Sequence, residues 1–419
     1  MDAMVVQGNG PLRGRVSVSG SKNAALPVLA ASLLFDKPSV VDRVPDLRDI
    51  DTLRSVLTTL GARSSHENGT VTMDASHLTS CEAPYELVRT MRASVYVLGP
   101  LLARMGRARV SLPGGCAWGP RPVDLHVQAM QKLGAKVEIE HGYIVAEAPS
   151  GGLRGAEIHF PISSVGATCN ALLAAVLASG QTVLGNAAAE PEVVALADYL
   201  VACGAKISGA GTKTITVDGV SQMTPTRWAV IPDRIEAGTF LAAAAITGGD
   251  ITLDECRADH MDAVLEKLRE MGAAVEVDAT TVRCHAPDAL GGVHVLTAVY
   301  PGFPTDMQAQ MIALACMGCE TSVISDTIYT DRFTHVPELR RLGADIRLDG
   351  NTAVVHPADM LQGAHVMATD LRASAALIIA GLVAKGKTTI HRVYHLDRGY
   401  ERIEEKLRAV GADIHRISE

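Results

Sequence analysis

The chain has 419 residues and a formal net charge of −8, and 47% of its residues are hydrophobic but only 4% are aromatic. An acidic chain lacks the basic surface of nucleic-acid-binding proteins, so we expect no nucleic-acid partner. The longest apolar runs, about a dozen residues, are shorter than the roughly 20 residues of a membrane span. The first residues lack the basic and apolar stretches of a secretory signal. We therefore expect a cytoplasmic protein of two or three domains with no membrane partner.

The cysteines indicate free thiols. Eight of them are scattered along the chain, as is usual in a reducing compartment. The one CxxC motif, Cys316 to Cys319, ends an apolar, helix-like run and has no second ligand pair at zinc spacing. We therefore expect buried thiols at that motif and no bound metal.

A Gly-Ala phrase recurs six times along the chain. It occurs in TTLGA, QKLGA, VACGA, REMGA, RRLGA and RAVGA, with glycines Gly61, Gly134, Gly204, Gly272, Gly343 and Gly411. The interval is about 70 residues, so six units fill the chain. Six units divide into two domains of three, with the midpoint near TRWAVIPDR. This predicts a first domain at 22–229 and a second that joins 1–21 to 230–419.

Each unit contains two kinds of helix. The first is apolar nearly all round, as in GATCNALLAAVLA, and such a helix is buried on every side. The second is amphipathic, as in HMDAVLEKLREMGA, and ends at the repeat glycine, which we interpret as a C-cap before a short strand. Each unit is therefore predicted as strand, buried helix, strand, surface helix, strand, an α/β fold of βαβαβ type. The opening segment MVVQGNGPLRGRVSV is expected to complete the sheet of the last unit.

Polar and cationic residues collect just before the buried helices. They are Ser21 to Asn23, Thr90 to Arg92, Ser163 to Gly166, Asp233 and Arg234, Thr305 and Asp306, and Thr369 to Arg372. Serine, threonine and aspartate are typical N-caps, and from these residues alone capping is the leading interpretation for Thr305, Asp306 and Thr369. Capping does not account for the recurring Lys and Arg, which the helix dipole disfavours at that end. We therefore favour anion sites at these helix N-termini.

The surface helices begin in a related way, with Arg121, Arg332 and Arg398. A single arginine there is usually solvated or in a local ion pair, but several on one rim form a clamp for phosphate or carboxylate. Cys116 lies near the first of them, in SLPGGCAWGPRPVDLH, outside any apolar run. A neighbouring cation favours the thiolate, so Cys116 is a candidate reactive thiol. The alternative is that it packs like an alanine under the loop.

Six stretches together resemble one known family. They are SGSKNAALPVLAASLL, PYELVRTMRAS, LPGGCAWGPRPVDLH, FPTDMQAQ, RFTHVPEL, and the segment from MATDLRASAALIIAGLVAKG to RVYHLDRGYERIEEKLRAVGA. In this order they closely resemble the enolpyruvyl transferases that act on UDP-N-acetylglucosamine, over about residues 10 to 416. The resemblance implies two inside-out α/β barrel domains, each of three repeated units. It also implies transfer of the enolpyruvyl group of phosphoenolpyruvate to the sugar 3-hydroxyl with release of phosphate, the first committed step of peptidoglycan precursor synthesis, and no cofactor.

The resemblance also implies roles for single residues. Cys116 is implied as the general acid at the C3 methylene of phosphoenolpyruvate and as the thiol that forms a covalent adduct with it. Asp306 is implied as the base near the sugar hydroxyl, and Asp370 as an acid near the reaction centre. The implied phosphoenolpyruvate contacts are Lys22, Asn23, Arg121, Arg372 and Arg398, of which Lys22 and Arg398 are also catalytic candidates. The implied UDP-sugar contacts are Arg92, Arg121, Pro122, Val123, Asp124, Leu125, Ser163, Ser164, Val165, Gly166 and Ile328, and the clamp pattern adds Arg332 to the substrate-binding residues.

Two features depart from the family pattern. Trp118 and Pro120 stand where a small or aliphatic residue and a non-proline are usual, and PISSVG lacks the lysine often found before Ser-Val-Gly. Two alternatives stay open: an enzyme of the same fold acting on shikimate 3-phosphate, and a silent paralogue that binds UDP-sugar and regulates the pathway. The loop cysteine with RPVDLH argues against the first, and the intact Cys116, Asp306 and Lys22 against the second. Fosfomycin, an epoxide phosphonate that looks like phosphoenolpyruvate, is expected to attach to Cys116, and the sequence specifies no oligomeric state.

Overall fold

A computed structural model describes residues 2–89, 91–112 and 123–418 of the chain, with the backbone alone for Arg92. The chain divides into two units. The continuous unit is Gly20–Ile231, and the split unit joins Met1–Ser19 to Pro232–Glu419. The chain passes between the units at residues 19–20 and 231–232, whereas the repeat places these borders at 21–22 and 229–230.

Helices are interspersed with groups of one to three strands along the described residues. The strands are β1 (Asp2–Gln7), β2 (Arg13–Ser17), β3 (Ser39–Asp42), β4 (Arg63–Glu67), β5 (Thr70–Asp74), β6 (Glu82–Ala83), β7 (Arg107–Ser111), β8 (Lys136–Glu140), β9 (Tyr143–Glu147), β10 (Glu157–His159), β11 (Gln181–Gly185), β12 (Lys206–Ser208), β13 (Thr214–Asp218), β14 (Trp228–Ala229), β15 (Asp250–Asp254), β16 (Ala274–Val277), β17 (Val282–His285), β18 (His294–Leu296), β19 (Ser322–Ser325), β20 (Asp345–Asp349), β21 (Thr352–His356), β22 (His365–Met367), β23 (Lys387–His391) and β24 (Asp413–Ser418). The α-helices are α1 (Lys22–Ala30), α2 (Arg48–Thr59), α3 (Tyr85–Val88), α4 (Leu98–Met105), α5 (Asp124–Lys132), α6 (Val165–Ala175), α7 (Pro191–Ala202), α8 (Arg234–Ile246), α9 (Asp262–Glu270), α10 (Gln308–Ala315), α11 (Val336–Arg341), α12 (Leu371–Gly381) and α13 (Ile403–Ala409). Short 3₁₀ helices span Ala31–Leu34, Arg92–Val97, Ala258–His260, Thr305–Met307 and Val393–Arg398.

In the described part of the chain the strands form four-stranded sheets, three of them in each unit. In the continuous unit the strand orders are β14-β3-β5-β4, β6-β7-β9-β8 and β10-β11-β13-β12. In the split unit they are β16-β17-β15-β2, β18-β19-β21-β20 and β22-β23-β1-β24. Each sheet joins one parallel pair to an antiparallel hairpin or its equivalent. The predicted α/β class is confirmed. Each repeat has one more strand than the pattern predicted, because two strands follow its surface helix, except in the last repeat, where β24 alone follows α13 and pairs with β1.

The first two strands join different sheets of the split unit. β1 lies between β23 and β24 and is antiparallel to both, with Met4 opposite Ile390 on one side and Arg416 on the other. β2 runs parallel to β15. The opening segment therefore completes the last sheet through β1, as expected, while β2 completes the sheet of the fourth repeat.

Among the residues that the structure describes, buried apolar side chains form one cluster in each unit. The helices predicted to be buried lie at their centres: nine of the eleven residues of α6 and twelve of the thirteen of α8 are buried. The surface helices bury one face, which in α9 consists of Val264, Leu265 and Leu268. These helices end at the six repeat glycines, whose φ angles lie between 92° and 107°, a region that favours glycine. Among the described residues, no helix combines the length and the apolar character that a membrane crossing requires.

Candidate active site

A triad of charged residues lies in the split unit, where the 3₁₀ helix Thr305–Met307 leads into α10. Arg332 Nη1 lies 2.7 Å from Asp306 Oδ1, and Arg372 Nη2 lies 2.8 Å from Asp306 Oδ2. The Asp306 side chain is 27% exposed, whereas those of Arg332 and Arg372 are 10% and 5% exposed. Burial alone would raise the pKa of Asp306, but Arg372 and Arg332 outweigh burial and hold this pKa well below its usual range. The carboxylate is thus ionised, and it is the accessible member of the triad.

The side chains of Asp306 and Thr305 do not cap a helix. Pro304 holds the N-cap position of the 3₁₀ helix, and no side chain bonds the backbone there. Thr305 Oγ1 donates to Asp326 Oδ2 at 2.6 Å and accepts from Arg332 Nη1 at 3.1 Å. The N-cap interpretation of Asp306 and Thr305 is therefore wrong, because both side chains pair with charged side chains instead of free amides.

Asp326 is fully buried and fixes the loop that follows β19. Its Oδ1 accepts hydrogen bonds from Thr297 Oγ1 at 2.8 Å and from the amides of Ile328 and Tyr329 at 2.9 and 2.8 Å. Its other oxygen accepts from Thr305. The predicted sugar contact Ile328 therefore belongs to the same hydrogen-bonded group that holds Arg332.

Arg372 has a second partner, Tyr400. Arg372 Nη1 donates to Tyr400 Oη at 3.3 Å, and the same hydroxyl lies 2.9 Å from Thr239 Oγ1 and accepts from Gln310 Nε2 at 3.2 Å. All four side chains are buried. Burial alone would lower the pKa of Arg372, but the Asp306 carboxylate outweighs burial and raises it. Arg372 is therefore charged throughout the physiological range.

Asp370 caps α12, the helix that carries Arg372. Its Oδ1 accepts from the amides of Arg372 and Ala373 at 2.8 and 3.2 Å. Its Oδ2 accepts from the hydroxyls of Thr334 and Thr369 at 3.4 and 3.3 Å. The prediction that Thr369 is the cap is wrong, because the next residue supplies a carboxylate at the N-cap position.

Two histidines lie beside these acids and cations. Burial lowers the pKa of His335 to about 4, although Asp370 acts in the opposite direction. Burial also lowers the pKa of His395, the cation of Arg398 lowers it further, and Asp370 again opposes. Both imidazoles are therefore neutral at pH 7. The predicted site residues Arg398 and Asp370 are thus both close enough to the His395 imidazole to affect its pKa.

Lys22, in the continuous unit, is the first residue of α1 and pairs with Asp49 of α2. Lys22 Nζ lies 3.0 Å from Asp49 Oδ2, and both side chains are largely buried. Ser21 holds the N-cap position without a side-chain hydrogen bond. The cation therefore stands at a helix N-terminus beside a buried carboxylate, and Asn23 follows it half-buried.

The turn 163–166 opens α6 in the same unit. Ser164 caps the helix through its Oγ, which accepts from the amide of Ala167 at 3.3 Å. Ser163, Val165 and Gly166 are half-buried, whereas Ile162, just before this turn, is 63% exposed. The helix start is thus open to a ligand but has an apolar residue at its mouth.

The start of α5, which contains the predicted contacts Val123, Asp124 and Leu125, is held against the start of α6. A Cβ on Gly166 would lie 3.2 Å from the His126 imidazole, which is tighter than most Cβ contacts, so a larger residue would require the imidazole to shift. His126 Nδ1 also lies 3.0 Å from Asn170 Nδ2 in α6. The two predicted UDP-sugar segments are therefore neighbours within the continuous unit.

Several predicted site residues lie outside the described residues. They are Cys116, Arg121 and Pro122, together with Trp118 and Pro120, and Arg92 is described by its backbone alone, at the start of a 3₁₀ helix.

The seven described cysteines are free thiols. Burial raises the pKa of Cys316 to about 12, as a buried thiol requires, whereas Cys319 is exposed, so the expectation of two buried thiols at this motif is wrong for Cys319. Within residues 2–89, 91–112 and 123–418, no three or more His, Cys, Asp or Glu side chains are grouped so that they could hold a metal ion.

Sequence reasoning missed the residues that hold the cations in place. Asp49, Asp326 and Tyr400 were given no role. Tyr400 lies in a segment whose predicted site residue is Arg398, and Asp49 and Asp326 lie outside the segments that were assigned to the site. A signal existed for Asp49: it falls at helical spacing with Leu53 and Val56 on the buried face of α2. An acid on a buried face indicates a buried cation nearby.

Comparison with known proteins identifies the family. The matching family model is EPSP synthase (3-phosphoshikimate 1-carboxyvinyltransferase), over residues 6–407. A similar solved structure is the enolpyruvyl transferase NikO from Streptomyces tendae, with 26% identity, a TM-score of 0.88, and coverage of 100% of this chain and 99% of that chain. The predicted enolpyruvyl transferase fold is thereby confirmed.

Two relatives are similar over their full length and carry the name UDP-N-acetylglucosamine 1-carboxyvinyltransferase. The protein from Chlorobium chlorochromatii is 56% identical over 99% of each chain, and that from Trichlorobacter lovleyi is 52% identical over 100% of each chain. The present chain belongs to this family of UDP-N-acetylglucosamine 1-carboxyvinyltransferases.

Proposed function

We propose that this protein transfers the enolpyruvyl group of phosphoenolpyruvate to the 3-hydroxyl of UDP-N-acetylglucosamine with release of phosphate, the first committed step of peptidoglycan precursor synthesis. The full-length identity to relatives named for this transfer carries the proposal. The accessible Asp306 carboxylate between two buried arginines supports it, because the reaction needs both a proton acceptor and cations for phosphate and carboxylate.

In this proposal Cys116 is the acid and Asp306 is the base. The Cys116 thiol protonates C3 of phosphoenolpyruvate, and the sugar hydroxyl adds to the electrophilic C2 while its proton passes to Asp306. The resulting ketal carries phosphate and carboxylate on C2. Return of a C3 proton to the Cys116 thiolate restores the double bond and expels phosphate, which takes up the proton held by Asp306. The acid and the base are then ready for another turnover.

The proposed anion contacts are Lys22, Arg121, Arg372 and Arg398. Lys22 and Arg372 each face a carboxylate in the protein, Asp49 and Asp306. A cation that is oriented in advance stabilises developing charge without reorganisation during the reaction. We expect the substrate anions to enter these pairs as additional partners.

The pKa of Asp306 bears on its role as a base. General bases work best when their pKa lies near the working pH, and the two arginines hold the pKa of Asp306 far below it. In our proposal the carboxylate of phosphoenolpyruvate takes up part of the hydrogen bonding of Arg372. The pKa of Asp306 then rises when the substrate is bound, which confines its basicity to the complex.

A phosphate-release assay tests the proposal. Phosphoenolpyruvate is supplied with either UDP-N-acetylglucosamine or shikimate 3-phosphate, in excess chelator because the proposal includes no metal. We expect release only with UDP-N-acetylglucosamine. Release with shikimate 3-phosphate would favour the sister transferase, and binding of UDP-N-acetylglucosamine without release would favour a silent regulatory paralogue. We further propose a cytoplasmic location, which the free state of the described cysteines supports.

Fosfomycin is proposed as a covalent inhibitor at Cys116. Its phosphonate resembles the phosphate of phosphoenolpyruvate, so the Lys22 and Arg398 cations should direct the epoxide carbon to the thiolate. Peptide mass analysis should find one adduct, on Cys116. The exposed Cys319 is the main competitor, and Cys319→Ser serves as the control, which should still be labelled. A Cys116→Asp variant should escape labelling yet keep a proton donor and activity, and label on Cys319 would refute the assignment.

A further inference from the structure

Tyr400 occupies a central position behind the Asp306 triad. Its hydroxyl touches three buried polar groups: Arg372 Nη1 at 3.3 Å, Thr239 Oγ1 at 2.9 Å and Gln310 Nε2 at 3.2 Å. The Arg372 guanidinium carbon also lies 5.6 Å from the centre of the Tyr400 ring. Tyr400 therefore binds the guanidinium nitrogen of Arg372 that is not bonded to Asp306.

The direction of each hydrogen bond in this group follows from the donors available. Thr239 Oγ1 donates its only proton to the carbonyl of Ile235 at 2.8 Å, so it must accept from Tyr400. An arginine has donors only, so Tyr400 Oη must accept from Arg372. The Tyr400 hydroxyl thus points its hydrogen at Thr239 and its lone pairs at Arg372 and Gln310. This orientation leaves the hydroxyl no alternative rotamer that keeps all three bonds.

We propose that Tyr400 is a positioning residue for catalysis, which acts by orienting Arg372 so that this guanidinium holds Asp306 Oδ2 toward the sugar hydroxyl. The inference rests on the proposed enolpyruvyl transfer and concerns the same site. The hydrogen bonds of Tyr400 go to Arg372, Thr239 and Gln310 and not to Asp306, so Tyr400 acts on Asp306 through Arg372. Thr239 and Gln310 fix Tyr400 in turn.

The two arginines of the triad are held independently. Arg332 Nη1 reaches Thr305 Oγ1, and Thr305 is fixed by Asp326. Arg372 depends on Tyr400 for its second side-chain partner. Removing the Tyr400 hydroxyl should therefore loosen one guanidinium and leave the other in place, so that activity falls without being abolished.

The test is Tyr400→Phe in the full chain, assayed with phosphoenolpyruvate and UDP-N-acetylglucosamine. We expect kcat to fall by roughly 10- to 100-fold, as for a catalytic group displaced by a fraction of an ångström to 1 Å, with the KM for UDP-N-acetylglucosamine nearly unchanged. The acid limb of the kcat/KM profile should move to higher pH, because a less firmly held Arg372 lowers the pKa of Asp306 less. The charged neighbours that set this limb are Asp306, Arg332, Arg372 and Asp233, which also acts on Arg372.

Tyr199→Phe is the matched control, because it removes a buried tyrosine hydroxyl from the core of the continuous unit. It should leave kcat and the pH profile as in the wild type. Thr239→Val is a second variant, which removes the acceptor of the Tyr400 proton and should shift kcat and the acid limb in the same direction, to a smaller extent. A Tyr400→Phe protein with wild-type kcat and acid limb would overturn the inference, and so would an unfolded Tyr400→Phe protein beside a folded, fully active Thr239→Val protein. Inactivity of the wild type itself would instead refute the proposed function.

Discussion

Asp306 balances only one of the two guanidinium charges that it contacts, so the triad as a whole carries a positive charge. Its arginines are buried, where solvent screens charge poorly. An anion that approaches the triad is therefore attracted by its net positive charge, and the exposed carboxylate of Asp306 can accept a proton at the same place. This combination is what an enolpyruvyl transfer needs at a single residue.

At this scale we predict that Asp306→Asn lowers turnover by about 10² to 10⁴, the usual contribution of a general base, while UDP-N-acetylglucosamine still binds. The side chain keeps its size but loses the charge that balances Arg332 and Arg372. Removing one partner from a buried ion pair costs about 3 kcal/mol, so the melting temperature should fall as well. Rate, ligand affinity and thermal unfolding are measured on the same preparation.

Asp254→Asn provides the comparison, since it breaks an aspartate–arginine pair with Arg15 at the surface, where such pairs contribute little. Turnover in the control should equal that of the wild type.

Because the folded pKa of Asp306 lies below its unfolded value, the stability it gives is present above the unfolded pKa and is lost as pH falls through the folded pKa. Asp306→Asn should therefore unfold with less dependence on pH in the acid range. Near-normal turnover would assign Asp306 a purely structural role.

The sequence could identify Asp306 only through resemblance. Read as a residue before a buried helix it looked like an N-cap, and no spacing rule connects it to Arg332, which follows it in the same repeat, or to Arg372, which lies in the next repeat. The contacts arise because the fifth and sixth repeats bring the starts of their helices together within the split unit. Local pattern gives the helix starts but not which side chains meet there.

At the scale of helices, the starts of the buried helices have two different designs. Ser164, Asp233 and Asp370 cap their helices through side-chain oxygens. Lys22 and Thr305 do not cap, and they contact buried carboxylates. The pattern of polar residues therefore identified the right places, and the two designs can be told apart only when the partner residue, on another helix or in a loop, is known.

Asp370 can be tested as a cap and as a chemical group separately. Asp370→Ala should lower the free energy of unfolding by about 1 kcal/mol, the value of an N-cap. Asp370→Ser keeps a capping oxygen and should restore that stability, but it lacks the carboxylate. If the carboxylate acts near the reaction centre, both variants should lose turnover, by roughly 10²-fold. A serine variant as active as the wild type would limit Asp370 to capping α12.

In every repeat but the last a second strand follows the surface helix, and it was missed although the sequence contained a signal. Asn68 and Gly69, between β4 and β5, have φ angles of 49° and 75°, and Asn-Gly is a strong short-range hairpin signal. His141 and Gly142, between β8 and β9, repeat the arrangement with φ angles of 48° and 81°. The strands themselves are short and half-exposed, so their hydrophobic pattern is weak. Turn residues therefore predict these hairpins better than the strands do.

At the scale of the whole molecule, the two units differ in how the chain builds them. All the strands of the three sheets in the continuous unit come from within Gly20–Ile231. The split unit takes β1 and β2 from the first 19 residues, and β1 is an inner strand with partners on both sides. The repeat predicted the split, while its borders depend on where single strands pair, which a period of about 70 residues does not resolve.

This difference predicts unequal behaviour of two fragments. A fragment of residues 20–231 should fold and unfold cooperatively, because its sheets and its apolar core are complete. A fragment of residues 232–419 should not, because β23 and β24 lose the strand between them and their buried amides and carbonyls lose partners. It would also expose the apolar surface that covers Ala3, Met4 and Val6, which are fully buried in the intact chain.

A peptide of residues 1–19 should restore the second fragment when added in trans, since it supplies β1 and β2 together. The far-ultraviolet circular dichroism of the fragment, followed during titration and thermal unfolding, gives the measurement; fluorescence does not serve, because both tryptophans lie in residues 20–231. A peptide with Met4→Asp and Val6→Asp is the control, because it places two charges on the buried face of β1 and should fail to restore folding. Cooperative unfolding of residues 232–419 without any peptide would show that the last sheet forms without β1. It would also show that β1 is not needed for the stability of the split unit.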